Sequence, residues 1–66
     1  MTHHFKLKAY YTPSISDETE IAKEYIAIKG RNVLDRAKET MISKNIDMRP
    51  SDKRRIQVIN YWTSKN

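Results

Sequence analysis

Two periods of apolar spacing run along this chain, and one gives way to the other near Gly30. Residues 4–12 read H-F-K-L-K-A-Y-Y-T. Phe5, Leu7, Ala9 and Tyr11 alternate there with His4, Lys6, Lys8 and Tyr10, the period of two of a half-buried strand. Thr12-Pro13-Ser14 ends the run, because proline removes a ladder donor and small polar residues favour a turn. Ile26 and Ile28 alternate with Tyr25, Ala27 and Lys29 in the same way. Beyond Gly30, Val33, Leu34, Ala37 and Met41 fall within a ~100° stripe of a helical wheel. Glycine permits unusual backbone angles and Asn32 offers a side-chain acceptor for an N-cap, so strand, tight turn and helix are expected in that order.

Residues 15–29 admit two readings. Ser16 followed by Asp17, Glu18 and Glu20 has the form of a capped helix start, with Ile21, Tyr25 and Ile28 at helical spacing. The β-formers from Tyr25 to Ile28, and their closeness to the first strand, favour a hairpin with a second strand from about Ile21 to Lys29.

The helix is expected from about Val33 to Lys44, with Asp35, Glu39 and Ser43 solvated and a left-handed end at Asn45. Ile46 and Met48 should fold back on the core, and Arg49-Pro50-Ser51-Asp52 should turn. Residues 53–63, K-R-R-I-Q-V-I-N-Y-W-T, are rich in strand formers, a Ser51-capped helix being the alternative. Strict alternation points Ile56, Val58 and Trp62 at the helix, and Arg55, Gln57, Ile59, Tyr61 and Thr63 away from it. Asn60 then faces inward, where it needs a hydrogen-bond partner. Trp62, the largest apolar group, is expected in the core. The sum is an α+β, two-layer ββαβ domain spanning residues 1–66, one helix packed on a short antiparallel-rich sheet.

Composition narrows the function. A chain of 66 residues buries only ~60% of its unfolded surface, so a deep catalytic cleft would consume core that it needs. Cysteine is absent and glycine occurs once, which excludes thiolate chemistry, disulfides and Gly-rich phosphate loops. His3 and His4 are adjacent in a terminus expected to be mobile, and no second cluster completes a metal site. Asp17, Glu18 and Glu20 lack acid–base spacing, and no serine has an evident histidine partner. A non-enzymatic protein without cofactor or metal is expected. No apolar run reaches the ~20 residues of a membrane span, and M-T-H-H-F-K lacks a signal peptide's apolar centre, so a cytoplasmic location is expected.

The formal charge of +5 is uneven: residues 1–30 balance, while residues 31–66 hold nine bases against four acids. Lys53, Arg54 and Arg55 are the densest run and the candidate nucleic-acid contact. A single helix leaves one sheet face open. On it the expected registers place Lys6, Lys8 and Tyr10 beside Arg55, Gln57 and Tyr61, cations interleaved with rings. Such a face suits DNA or RNA, or a host protein or protein–nucleic acid complex, since Tyr and Arg also anchor protein interfaces. Lysines and tyrosines on a solvated strand also serve solubility and cross-strand packing alone.

The stretch I-A-I-K-G-R-N-V-L-D-R-A-K-E-T-M, set between a hairpin and a closing R-I-Q-V-I strand, resembles the small ββαβ proteins of phages and mobile elements. Some of those inhibit host enzymes or CRISPR effectors. The resemblance implies stoichiometric binding that blocks or modulates a nucleic-acid-processing partner. Taken with the helical reading of residues 17–29, the chain instead resembles ribbon-helix-helix repressors. That resemblance implies H-F-K-L-K-A as the groove-reading strand, His4, Lys6 and Lys8 reading bases, and Gly30-Arg31-Asn32-Val33 as the inter-helix turn.

Overall fold

The computed structural model describes residues 1–11 and 19–65, with the side chains of Tyr11 and of residues 19–21 left aside. The expected turn at Thr12-Pro13-Ser14 and the acids Asp17 and Glu18 lie outside the described residues. Strand β1 is Thr2–Tyr11 and β2 is Thr19–Lys29; helix α1 is Val33–Lys44, and β3 is Ile56–Ser64. The three strands form one antiparallel sheet in the order β2-β1-β3. β2 and β3 run parallel to each other with β1 between them, so α1 serves as the crossover that parallel strands require. The expected ββαβ architecture is the one observed. Among the described residues, 19–29 are strand where a ribbon-helix-helix reading places its first helix.

Leu7, Ala9, Ala37 and Met41 are fully enclosed, and Phe5, Ile26, Met48 and Ile56 complete the core. β1 supplies three of these residues because it is the central strand and α1 lies over it. The short connection after β2 sets the helix on the β2 side of the sheet. Gly30 turns the chain at φ +100°, and Asn32 follows at φ +53°. Arg36 locks this corner, its Nη1 donating to the carbonyls of Lys29 at 2.6 Å and Arg31 at 3.2 Å. Asn32 occupies the N-cap position without a side-chain cap bond. The turn is therefore held by an arginine from within the helix, and the expected asparagine cap does not form.

At its other end α1 docks on β2 through Lys44, 3.8 Å from Glu24. Asn45 donates to the Met41 carbonyl at 2.7 Å, and its own backbone is extended where a left-handed cap was expected. Extended backbone carries the chain away from the helix axis, which leaves Ile46 98% exposed while Met48 turns in and is buried. Ile46 thus does not join the core. Pro50–Arg55 form a 3-10 helix, opened by the Arg49 N–H donating to the Asp52 carboxylate at 2.9 Å. Lys53, Arg54 and Arg55 belong to this helix, and the last strand begins only at Ile56.

Two irregularities adjust the sheet. Against β2 the register slips between Ala9 and Tyr10, where Ile21 is the extra residue. Against β3 it slips between Lys6 and Leu7: Lys6 faces Asn60 and Leu7 faces Val58, so Ile59 is the extra residue. A one-residue bulge reverses the facing of every side chain beyond it. Asn60 thereby leaves the helix side, and its Oδ1 accepts the Tyr61 N–H at 2.8 Å. Tyr61 and Thr63 come to the helix side, and Trp62 goes to the open face. The expected placement of these residues is reversed because strict alternation was carried through a position where the strand gains a residue. Among the described residues, no helix is long and apolar enough to cross a membrane.

Candidate functional site

Strand alternation delivers His4, Lys6, Lys8 and Tyr10 from β1 to the face that α1 leaves open, with Lys23, Tyr25, Ala27 and Lys29 from β2. β3 adds Gln57, Asn60, Trp62 and Ser64, and its bulge residue Ile59 shares a depression with Lys6 and Tyr25. At the centre of the face stand three rings from three strands. His4 lies opposite Ala27 on one side and Trp62 on the other. Its ring is 5.2 Å from that of Trp62 and parallel to it within 2°, and 5.8 Å from Tyr25 at 16°. Tyr25 and Trp62 are themselves 5.8 Å apart at 17°. The three rings form a nearly parallel array with Tyr25 half exposed and Trp62 exposed by over a third.

Hydrogen bonds hold the array. His4 Nδ1 meets the Tyr25 hydroxyl at 2.5 Å and Nε2 meets the Ser64 hydroxyl at 2.8 Å. A neutral imidazole has one donor and one acceptor nitrogen, and a hydroxyl can play either role, so both bonds form in either tautomer. Ser64 therefore does have a histidine partner, contrary to the expectation from sequence, because the sheet joins residues sixty positions apart. What the arrangement supplies is a fixed ring orientation.

Cations frame the rings. Lys6 and Lys8 project from β1, Lys8 lying 5.8 Å from the centre of the Tyr10 ring, and Lys29 stands at the end of β2. Gln57 Nε2 donates to the Tyr10 hydroxyl at 2.5 Å, joining β3 to the same face. Lys6, Lys23, Tyr25 and Ile59 line a shallow depression beside the ring array.

Of the residues expected to bind a partner, Lys6, Lys8, Tyr10 and Gln57 do share the open face. Tyr61 does not: its ring packs 4.9 Å from Phe5 on the helix side, and its hydroxyl meets His3 Nδ1 at 2.6 Å. Arg55 does not either, since it lies in the 3-10 helix, 3.3 Å from the Asp52 carboxylate. Lys53 bonds Asp35 and approaches Glu39 at 3.5 Å. The bond to Asp35 holds the Lys53 ammonium above its ordinary pKa of 10.5. The densest basic run in the sequence is thus partly neutralised by helix α1, and of its three residues Arg54 is the exposed one. The open-face lysines come from the half of the chain whose charges balance. His3 and His4 belong to the central strand and point to opposite faces, so they cannot chelate one ion together.

His4, Tyr25 and Trp62 were not picked out from the sequence as a set. The signal was present in one respect: His4 and Tyr25 each lie on the polar phase of an alternating strand. Trp62 was hidden by the bulge. Comparison with protein-family models, with curated proteins and with solved structures gives no match.

Proposed function

We propose that this chain is a small non-enzymatic binding protein whose open sheet face takes up single-stranded nucleic acid. The observation that carries the reading is the parallel array of His4, Tyr25 and Trp62. Exposed rings held in a fixed plane accept bases by stacking, which is sequence-tolerant because every base has a π-face. Lys6, Lys8 and Lys29 stand around the array where a strand's phosphates would pass. Duplex DNA hides its bases from such a platform, so the preference is for unpaired strands. In a phage or mobile element such a module would act stoichiometrically, competing for the strand that a host nucleic-acid-processing protein must hold.

Fluorescence anisotropy of labelled single-stranded and duplex oligonucleotides across a salt series tests this. Single strands should bind more tightly than duplex. With about three phosphates neutralised, log affinity should fall with log salt at a slope of roughly −2. Reversing Lys6 and Lys8 to Glu should flatten the slope and weaken binding. Absence of binding to either form at low salt would refute the reading.

A further inference from the structure

Strand β3 presents an exposed edge. Its nine residues, I-Q-V-I-N-Y-W-T-S, include no charged side chain and no proline, in a chain where 32% of residues are charged. It is an edge strand, and only Ile56 in it is buried. Helix α1 covers β2 and β1 and stops short of β3, so Val58 and Tyr61 are exposed on one face, Ile59 and Trp62 on the other. The opposite edge, β2, carries Lys23, Glu24 and Lys29 in the manner of a protected edge. Proteins blunt exposed edges with charge, proline, brevity or a bulge, and of these β3 has the Ile59 bulge alone.

The bulge also sets the register in which β3 can pair with a second copy of itself. In an antiparallel pair, directly opposed residues share a face. A two-fold axis between Ile59 and Asn60 would oppose Val58 to Tyr61 and Gln57 to Trp62 of a second copy. In a regular strand those pairings would join residues of opposite facing. Here the extra residue puts Val58 and Tyr61 on the helix side together, and Gln57 and Trp62 on the open side together. A charged foreign strand would find no counter-charge along β3, whereas a second β3 brings an uncharged edge with matching faces.

We propose that β3 pairs antiparallel with β3 of a second copy, giving a two-fold dimer with a continuous six-stranded sheet. The axis stands perpendicular to the sheet, so both helices lie on one side and both ring arrays on the other. Tyr61 of each copy closes over Val58 of its mate, and the two Trp62 rings flank the seam. The doubled platform that results rests on the nucleic-acid reading; the dimer itself does not.

Sedimentation of the full chain without nucleic acid, from about 1 to about 500 μM and at low and high salt, measures the pairing. Self-association should strengthen with salt as repulsion between the two positive chains is screened, the reverse of phosphate binding, so the two readings fail separately. Val58→Lys sets a new charge on each side of the seam and should raise the dissociation constant about tenfold or more. The chain has no cysteine, so the register is tested by mixing Val58→Cys with Tyr61→Cys under mild oxidation. Opposed residues lie within disulfide reach, and the mixed disulfide should exceed both homodisulfides. A folded chain that stays monomeric throughout, or homodisulfides equal to the mixed product, overturns the proposal. A monomer that takes up an uncharged strand peptide would overturn it too, and give the edge to a foreign partner.

Discussion

Tyr61 and Trp62 are neighbours in sequence and stand on opposite faces of the sheet, which turns a pair of truncations into a test of both the bulge and the platform. Trp62→Ala removes one ring from the array of His4 and Tyr25. A base stacked on an aromatic side chain contributes ~1–3 kcal/mol by alanine substitution. At ~1.4 kcal/mol per tenfold, single-strand affinity should fall by roughly 5- to 150-fold. The salt slope should not change, because no cation has been removed. Tyr61→Ala removes a half-exposed ring that packs on Phe5 and hydrogen-bonds His3. That change should lower stability by about 1–2 kcal/mol and, at protein concentrations where the chain is monomeric, leave affinity within roughly twofold. Anisotropy titrations at one salt concentration, with urea unfolding of each variant, measure both quantities. Equal losses of affinity, or a larger loss from Tyr61→Ala among folded variants, would refute the assignment of faces and the ring platform with it.

Gly30→Ala should cost about 1–2 kcal/mol in urea unfolding, since φ is +100° and a Cβ would come within 3.1 Å of the Arg36 Nη1 that bonds the turn. Ile46→Lys should change stability by less than about 0.5 kcal/mol, because the side chain is 98% exposed; a loss of several times that would restore it to the core. Asp35 raises the Lys53 pKa above 10.5, so the ion pair's contribution is fully present below that value and is lost as pH rises through the higher folded pKa. Wild type and Lys53→Met should accordingly differ in unfolding midpoint by a constant amount through neutral pH and converge in strong alkali; convergence already near neutrality would contradict the pairing.

Much of the fold was legible because it follows from local periodicity. The alternation of Phe5, Leu7 and Ala9 marks a strand with one buried face, and the stripe of Val33, Ala37 and Met41 marks a helix, whatever surrounds them. The ambiguity of residues 15–29 resolved to strand over Thr19–Lys29, where the neighbouring β1 supplies a ladder that an isolated helix could not match. Gly30 was legible as a turn, since its conformation is a property of one residue. The Asn32 cap was not borne out, because Asn32 takes the left-handed conformation that completes the turn, whereas a capping residue needs extended backbone to accept a first-turn N–H.

What sequence could not decide is everything that depends on a count across strands. Whether Trp62 is core or surface turns on one extra residue at Ile59, and that bulge exists only in the pairing of β3 with β1. The His4, Tyr25 and Trp62 array draws on all three strands, so no window of sequence contains it. Charge shows the same limit. Residues 31–66 hold the whole excess in sequence, but tertiary contacts fold Lys53 onto Asp35 and Arg55 onto Asp52. The face rich in cations and rings is built from lysines of the balanced half, because strand alternation places them there while Glu24 turns to the helix side. Periodicity is a one-dimensional property and was written in the chain; facing, pairing and net local charge are relations between distant residues, and only the packed sheet sets them.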